Sequence, residues 1–310
     1  MSINFGQAMS DVPMVDIDNS GLSEEIHGQW RMALRRFRRD RLAMFGLITF
    51  LTILLIATIY TFVNPAGWSE LTTSFNQPPS WNHLFGTTGS GLDLFSACLK
   101  GAQQDVIIAF VVASISMVLG TIAGGVAGYY KGSIDAVVMR FVDLLLVIPL
   151  LAILIVLSRI FAGSGNSWWM IAILIGLLSW TYIARLVRAE FLSLRERTFV
   201  EAATALGAGG RRIIFKHLVP NAIGTIIVNT TLTVSGAMLL ESTLSFLGLG
   251  IVPPQVSLGM LVQEGQDSAT TQPWLFAFPA GMLLVLILCV FFIGDGLQNA
   301  LDPRKSRSRA

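Results

Sequence analysis

The first long uncharged stretch of the chain decides its class. It reads LAMFGLITFLTILLIATIYTFVNPAGWS and runs from Leu42 to Ser69. A membrane-spanning helix needs roughly 20 mostly apolar residues, and this stretch places 28 between Arg41 and Glu70. It lacks the alternation of apolar and polar residues that a strand of a membrane barrel requires. Residues 42–63 are therefore predicted to form a first transmembrane helix.

Further stretches of the same kind follow along the chain. Uncharged runs of 25, 25, 23 and 27 residues come after Asp105, Arg159, His217 and Asp267. A sixth segment, 136–160, is apolar apart from three charged residues. The chain as a whole is 53% hydrophobic and only 13% charged, which is too little charge to cover a water-soluble domain of this length. The fold class is therefore predicted to be an all-α polytopic membrane protein with six transmembrane helices.

The basic residues predict the orientation of these helices. With the N-terminus in the cytoplasm, 19 of the 21 lysines and arginines fall on the cytoplasmic side, and only Lys100 and Arg159 fall outside. Cytoplasmic loops carry the excess of Lys and Arg in membrane proteins. Both termini are therefore predicted to be cytoplasmic. Topology also accounts for the net charge of +2, which gives no argument for nucleic acid as a partner.

The charge and hydropathy pattern divides the chain into six parts. The parts are a disordered cytoplasmic tail (1–28), a basic interfacial helix (29–41), the first transmembrane helix (42–63), an outer loop (64–103), a core domain (104–302) with five transmembrane helices and a cytoplasmic loop at 189–220, and a basic cytoplasmic tail (303–310).

The two cysteines lie in different parts. Cys98 falls in the predicted outer loop and Cys289 in the last helix, so the two thiols are predicted to be unpaired.

Charged residues inside the membrane segments are candidates for function. Arg140 and Asp143 are three residues apart on the third segment, so they are predicted to form a structural pair across one helical turn. Glu241 lies about 30 Å of helix beyond Asn221 and is placed near the outer surface. Neither position favours a proton relay at the middle of the bilayer over a structural role.

Three glycines predict a close helix contact. Gly120, Gly124 and Gly128 recur every four residues along the second span and make two overlapping GxxxG patterns. Such patterns let another helix approach closely in a membrane. The sequence leaves open whether that helix belongs to the same subunit or to a dimer partner.

Catalysis has no support in the sequence. The phosphate-binding pattern GxxxxGK[ST], the zinc-protease pattern HExxH and the hydrolase pattern GxSxG are all missing. The three histidines, His27, His83 and His217, are scattered over both faces of the membrane, which disfavours a metal site. Neither a cofactor nor a metal is predicted for this chain.

A polar and basic stretch interrupts the apolar pattern between Arg188 and Asn221. Residues Thr198–Leu206 have helical propensity, with three alanines and with Glu201 in the first turn. Three glycines from Gly207 onward end that helix, and Arg211–Leu218 can form a second short helix before the fifth span. A short alanine-rich helix suits a groove on a partner protein. An amphipathic connector lying on the membrane is the alternative at this stage.

Longer strings in this chain resemble a known family. FVEAATALG at Phe199–Gly207, followed by HLVPN at His217–Asn221, is similar to the "EAA" loop of ABC-importer permease subunits. The flanking strings resemble the "C" permeases of dipeptide, oligopeptide and nickel importers. They are LFGTTGSGLD (84–93), AGYYKGSIDAVVMRFVDLLLVIP (127–149), ARLVRAEFLSL (184–194), ESTLSFLGLGIVPP (241–254) and GDGLQNALDPR (294–304).

The resemblance implies a type I ABC importer permease in a bacterial inner membrane. Its partners would be a homologous second permease, two cytoplasmic ATPase subunits that bind ATP and Mg, an extracytoplasmic substrate-binding protein, and the membrane lipids. The loop at 189–220 would be the coupling loop, and the helix within it would dock onto an ATPase. The residues that the resemblance assigns to this coupling helix are Phe199, Glu201, Ala202, Ala203, Leu206 and Gly207.

The cargo is left open by the residues themselves, and no substrate-binding residue is identified. Peptides are the leading expectation, and nickel or another small solute is the alternative within the same machinery. A self-sufficient secondary transporter is a different class, and it would need ionisable groups in mid-membrane. An integral membrane enzyme is the third class, and the missing catalytic patterns disfavour it.

The outer motif departs from the family pattern, with Thr88, Leu92 and Ala97 where charged residues are usual.

Overall fold

The structure, a computed structural model, describes residues 31–65, 67–161 and 168–301. Within these ranges every regular element is a helix, as predicted, and strand-like pairing is limited to two isolated bridges. The predicted tails (1–28 and 303–310) lie outside the described residues. The helices are α1 (31–39), α2 (Arg41–Val63), α3 (Leu94–Tyr130), α4 (Gly132–Val147), α5 (Leu150–Phe161), α6 (Trp168–Arg195), α7 (Thr198–Ala205), α8 (Gly210–Ile213), a π-helical turn (Ile214–Leu218), α9 (Val219–Phe246), α10 (Leu258–Gln266) and α11 (Pro273–Leu301).

Five continuous helices are long and apolar enough to cross a bilayer. They are α2, α3, α6, α11 and the run from Gly210 to Phe246 that contains α9. The third predicted span, 136–160, is instead divided into α4 and α5, which meet at an angle of 81°. The six predicted spans are therefore present as five continuous helices and one bent pair, α4 with α5. The cause is Pro149, which has no N–H to continue the helix and disfavours helical geometry at Ile148.

The second span begins earlier than the charge pattern predicts. α3 starts at Leu94, so the irregular segment that follows α2 ends at Asp93, and the last ten residues of the predicted outer loop (64–103) are helical. The Asp93 carboxylate accepts a hydrogen bond from the backbone N–H of Ser96 at 2.9 Å, which caps the helix. Cys98 therefore lies within α3 and is buried. Cys98 and Cys289 are both free thiols, as predicted.

The three glycines of α3 lie against α6 of the same chain. A Cβ atom built on Gly120 would lie 2.7 Å from Ile183, and one on Gly128 would lie 2.7 Å from Phe191. A Cβ on Gly124 would overlap the carbonyl oxygen of Ala184. Because nothing larger than hydrogen fits at these positions, the two backbones come close together. The partner helix, which the sequence leaves open, is therefore within the subunit.

The remaining helices are arranged around the α3–α6 pair. The main core joins α3 and α6 to α9, α10 and α11, and it contains Ile108, Ile175, Met238 and Leu286. At the end of the molecule where α3 finishes, a second cluster joins α6 to the 198–226 region. A third cluster packs Phe37 of α1 between the start of α2 and the end of α11.

The α3–α6 contact generates a test with a matched control. We expect Gly124→Ala to destabilise the protein by about 1–3 kcal/mol, because the added methyl group overlaps the backbone of α6. Gly236→Ala is the control, since Gly236 lies within α9 and has open space around its Cβ position. The measurement is thermal unfolding of the purified protein in detergent. Equal melting temperatures for the two variants would contradict the packing described here.

Candidate coupling surface

A single buried side chain holds α7 against the rest of the molecule. Val200 is 3% exposed and belongs to the cluster that contains Phe191 of α6 and Leu218 of the π-helical turn. The neighbouring side chains of α7 point away from this cluster. Leu206 is 89% exposed and Phe199 is 37% exposed, while Glu201 and Ala202 are also exposed and Ala203 is half-buried. We call four of the exposed residues in and directly after α7, namely Phe199, Glu201, Ala202 and Leu206, the α7 surface.

Local interactions determine where α7 begins and ends. Glu201 lies in the first turn, where a negative charge stabilises the positive end of the helix dipole. Gly207 follows the helix with φ +80°, a conformation that other residues rarely adopt. The N–H of Gly207 bonds to the carbonyl of Thr204, and the N–H of Ala208 bonds to that of Ala203. Gly207 therefore turns the chain sharply away from α7.

After this turn the chain enters the fifth span without a break. The predicted short helix at Arg211–Leu218 is present as α8 and a π-helical turn, and both continue into α9. Pro220 has no N–H to donate to the carbonyl of Lys216, so one backbone hydrogen bond of the helix is missing. The π-helical turn lies next to this missing bond. The N–H of Val219 bonds to the carbonyl of Ile214, five residues back. The segment that follows the α7 surface is thus a rigid extension of a membrane-spanning helix.

Tyr129, at the end of α3, connects three parts of this region. A Cβ atom on Gly210 would lie 2.8 Å from its ring, so α8 rests directly on Tyr129. The guanidinium of Arg195 donates to the Tyr129 carbonyl at 2.5 Å and lies 5.6 Å from the centre of the same ring. The sequence analysis did not single out Tyr129 or Arg195. The only signal for them was the tyrosine pair immediately before Lys131 at the end of an apolar run.

Ion pairs fasten α4 to α6 at the same end of the molecule. Arg188 donates to both carboxylate oxygens of Asp135, at 2.5 and 2.6 Å. Arg185 donates to Asp143 at 2.6 Å. The predicted pair between Arg140 and Asp143 is therefore wrong. Because α4 packs along α6, the guanidinium of Arg185 reaches Asp143 from the neighbouring helix, and Arg140 is exposed.

Asp93 organises the opposite end of the molecule, where α3 begins. Besides capping α3, its carboxylate lies 2.8 Å from Nδ1 of His83. Thr88, one of the positions that departs from the family pattern, is buried, and its hydroxyl accepts the N–H of Leu92 at 3.0 Å. Ala97 is fully buried in α3. These positions therefore build the local structure of the irregular segment and do not present charge at its surface.

A pocket of about 360 Å³ lies beside this segment. Its polar lining comes from the irregular segment and from the region of α10, and it contains no basic residue. Partial burial raises the pKa of the Glu264 carboxyl above its ordinary value. The pocket therefore presents a carboxyl group, an amide and hydroxyl groups, all of which can form hydrogen bonds. The polar side chains that line it are Asn76, Thr88, Ser90, Glu264 and Ser268.

Known protein families match most of the chain. Residues 116–307 match the family model described as binding-protein-dependent transport system inner membrane component. Residues 28–79 match the model described as the N-terminal TM domain of oligopeptide transport permease C. The loop at 189–220, the α3–α6 contact and α9 all lie within the first of these ranges.

Individual proteins align over nearly the full length. The chain is 39% identical over 275 residues to the oligopeptide transport system permease protein OppC of Mycobacterium bovis, covering 88% of this chain and 94% of that protein. It is 38% identical over 280 residues to OppC of Haemophilus influenzae, covering 89% and 88%. Among solved structures, a chain of the inward-facing MetNI methionine ABC transporter matches with a TM-score of 0.55 and 19% identity, over 67% of this chain and 98% of that chain. This last similarity shows a shared fold.

The ion pairs between α4 and α6 allow a direct test of the corrected pairing. We expect Arg188→Gln to destabilise the protein by about 1–3 kcal/mol, because it leaves the Asp135 carboxylate, whose side chain is only 16% exposed, without its charged partner. Arg140→Gln removes an exposed arginine on α4 and is expected to leave the melting temperature unchanged. Thermal unfolding of both purified variants provides the comparison. A larger loss for Arg140→Gln would restore the pairing predicted from the sequence.

Proposed function

Because the chain belongs to the family of binding-protein-dependent transport system inner membrane components, we propose that it forms half of the translocation path of an ATP-driven importer of di- and oligopeptides. It is a component of a bacterial inner membrane with a type I ABC importer permease fold. The other half of the path is a homologous second permease. Of the two cytoplasmic ATPase subunits, one binds the α7 surface, and a substrate-binding protein docks on the outer face.

The α7 surface is the observation that carries this proposal. Leu206 is 89% exposed, and charged residues flank it on both sides along the chain, with Glu201 before it and Arg211 after it. Fully burying a leucine side chain is worth about 1.5–3 kcal/mol. Together with Phe199 and the small side chain of Ala202, it makes an apolar patch that suits a groove on a partner. The charge of Glu201 at its edge adds specificity for a basic group on that partner.

The way in which α7 is attached to two membrane-spanning helices supports a mechanical role. Val200 ties the helix to α6, and α8 with the π-helical turn continues into α9. A displacement of α7 by a closing pair of ATPases therefore acts on two membrane-spanning helices at once. The interior of the protein is densely packed and resists compression, so the displacement is transmitted along the helices. In the proposed cycle this motion switches the permease pair between inward-open and outward-open states.

In this proposal the subunit is not itself an enzyme. ATP and Mg bind to the partner ATPases, and the chain converts their closure into movement of α6 and α9. The chain has no GxxxxGK[ST] sequence that would cradle phosphates. Its contribution to the reaction is the path through the membrane and the coupling contact.

The names of the relatives support peptides as the cargo. The aligned proteins from Mycobacterium bovis and Haemophilus influenzae are oligopeptide transport permeases.

The pocket beside Asn76 and Glu264, which contains no basic residue, suits a cationic side chain of a docking protein at the outer face. Membrane lipids surround the exposed apolar faces of the spanning helices.

Two substitutions test the coupling contact. We expect Glu201→Arg and Leu206→Asp each to lower ATP-dependent peptide uptake by about tenfold or more, equivalent to a loss of at least about 1.4 kcal/mol of coupling free energy. Both residues are exposed, so the amount of permease in the membrane should not change. The measurement is uptake in proteoliposomes that contain the whole transporter and its binding protein.

The matched control is Glu196→Arg, which makes the same charge reversal just before α7. The side chain of Glu196 is 74% exposed and pairs with Lys131 at 3.2 Å, and exposed pairs of this kind contribute little to stability. Uptake in this variant should stay close to that of the unmodified transporter. Normal uptake in both Glu201→Arg and Leu206→Asp would exclude the α7 surface as the coupling contact.

The cargo is tested in a strain that lacks this permease. We expect uptake of radiolabelled di- and oligopeptides to fall at least about tenfold and to return when the gene is supplied again, because the chain supplies half of the proposed path. Uptake of labelled nickel is measured in the same cells as the comparison. A loss confined to nickel would show that the machinery is an importer for the metal and would overturn the peptide assignment.

A further inference from the structure

Two carboxyl groups are enclosed together near the end where α3 begins. Asp105 on α3 and Glu241 on α9 are each 0% exposed. Their side chains lie within hydrogen-bond reach of each other. The sequence placed Glu241 near the outer surface and treated Asp105 only as the border of an uncharged stretch. The structure brings the two together inside the protein, across 136 positions of the chain.

The surroundings of the pair supply neutral hydrogen-bond donors. Glu241 accepts from the hydroxyl of Ser245 at 2.7 Å and from that of Ser242 at 3.3 Å. One oxygen of Asp105 accepts the N–H of Leu258, the first residue of α10, at 3.2 Å. The other oxygen, Oδ1, is buried and has no donor from the protein. A buried carboxylate oxygen without a donor is costly, and a proton on one of the two carboxyl groups would offset this cost.

Charge considerations point the same way. Within the described ranges, no lysine, arginine or histidine forms an ion pair with either carboxyl group. Two adjacent carboxylates without a cation repel each other strongly when they are out of water. Such a pair is stable when one group holds a proton and donates it to the other.

We propose that Asp105 and Glu241 hold one proton between them, as a carboxylic acid hydrogen-bonded to a carboxylate. The proton fills the position beside Oδ1 of Asp105 that no protein donor occupies. The resulting bond joins α3 to α9, and the N–H of Leu258 attaches the start of α10 to the same pair. The site binds a proton and takes no other ligand.

Packing favours a proton over a metal ion at this site. A Cβ atom on Gly259 would overlap the backbone of Ser242, and one on Gly101 would lie 3.0 Å from the N atom of Leu258. The start of α10 is thus pressed against both α9 and α3. Within the described part of the chain, no three histidine, cysteine, aspartate or glutamate side chains come together as a metal-binding group. A proton needs no cavity and no third anionic ligand.

The position of the pair gives it a mechanical consequence. α9 is continuous with the segment that follows the α7 surface, and α10 contributes Leu261 and Glu264 to the pocket. The shared proton therefore joins the far end of α9 to a wall of that pocket. This link to transport rests on the proposed function, whereas the proton itself does not.

Infrared spectroscopy of the purified whole transporter tests the proton. At neutral pH we expect a carboxylic-acid C=O band that disappears in Asp105→Asn and also in Glu241→Gln. In each variant the new amide donates to the remaining carboxylate, which no longer needs a proton. Glu264→Gln, which changes another carboxyl group at the same end, should keep the band.

Three outcomes would overturn the proposal. The first is a wild-type transporter whose spectrum lacks the band. The second is a band that persists at half intensity in each single variant, which would mean two protons instead of one. The third is a melting temperature that rises when sodium replaces choline in the buffer and does so only with both carboxyls present, which would indicate a bound metal ion.

A second measurement covers the case in which the variants fold poorly. Asp105→Asn retains a hydrogen bond to Glu241, whereas Asp105→Ala leaves a lone buried carboxylate. We therefore expect Asp105→Asn to keep most of the wild-type amount in the membrane and Asp105→Ala to lose at least about half of it. Equal losses in the two variants would contradict the shared hydrogen bond. Peptide uptake plays no part in these readouts, so they stand apart from the test of function.

Discussion

The backbone contact between α3 and α6 is the interaction on which the rest of the structure depends. Gly120, Gly124 and Gly128 remove every side-chain atom from one face of α3, so that α6 approaches until its backbone and β-carbons touch them. In a bilayer the lipid is as apolar as the side chains, so helices associate through close packing of this kind. The contact places the end of α6 beside the end of α3, where Arg188 reaches Asp135 and Arg195 reaches Tyr129.

The helix that contains α9 connects the two ends of the molecule. At one end it emerges from the turn at Gly207, through α8 and the π-helical turn, and packs beside Val200 of α7. At the other end Glu241 joins it to α3 and to the start of α10. A helix with attachments at both ends is suited to relay movement between the proposed coupling contact and the opposite face. The same helix thus follows directly on the polar loop and carries one member of the buried carboxyl pair.

The sequence analysis misjudged residues whose partner comes from another helix and not from the same stretch of chain. Asp143 lies one helical turn from Arg140, yet it pairs with Arg185 because α4 packs along α6. Asp105 looks like the polar border of a span, yet it is buried because Glu241 and α10 enclose it. The bend at Pro149 was readable from the residue itself, and the hydropathy of segment 136–160 concealed it. Asp93 could likewise be recognised from the sequence as a helix cap, but the start of the second span was predicted from the uncharged run that begins after Asp105.

By itself, the sequence determined the membrane class, the spans apart from the bend, the family, and the position of α7 with its terminal glycine. These properties depend on composition, periodicity and local backbone preference, which are contained in short stretches of chain. Only the tertiary structure decided which helix the three glycines meet, which carboxylate each arginine contacts, and that Asp105 and Glu241 lie together. Those outcomes depend on contacts between residues far apart in the chain, and no local pattern contains them.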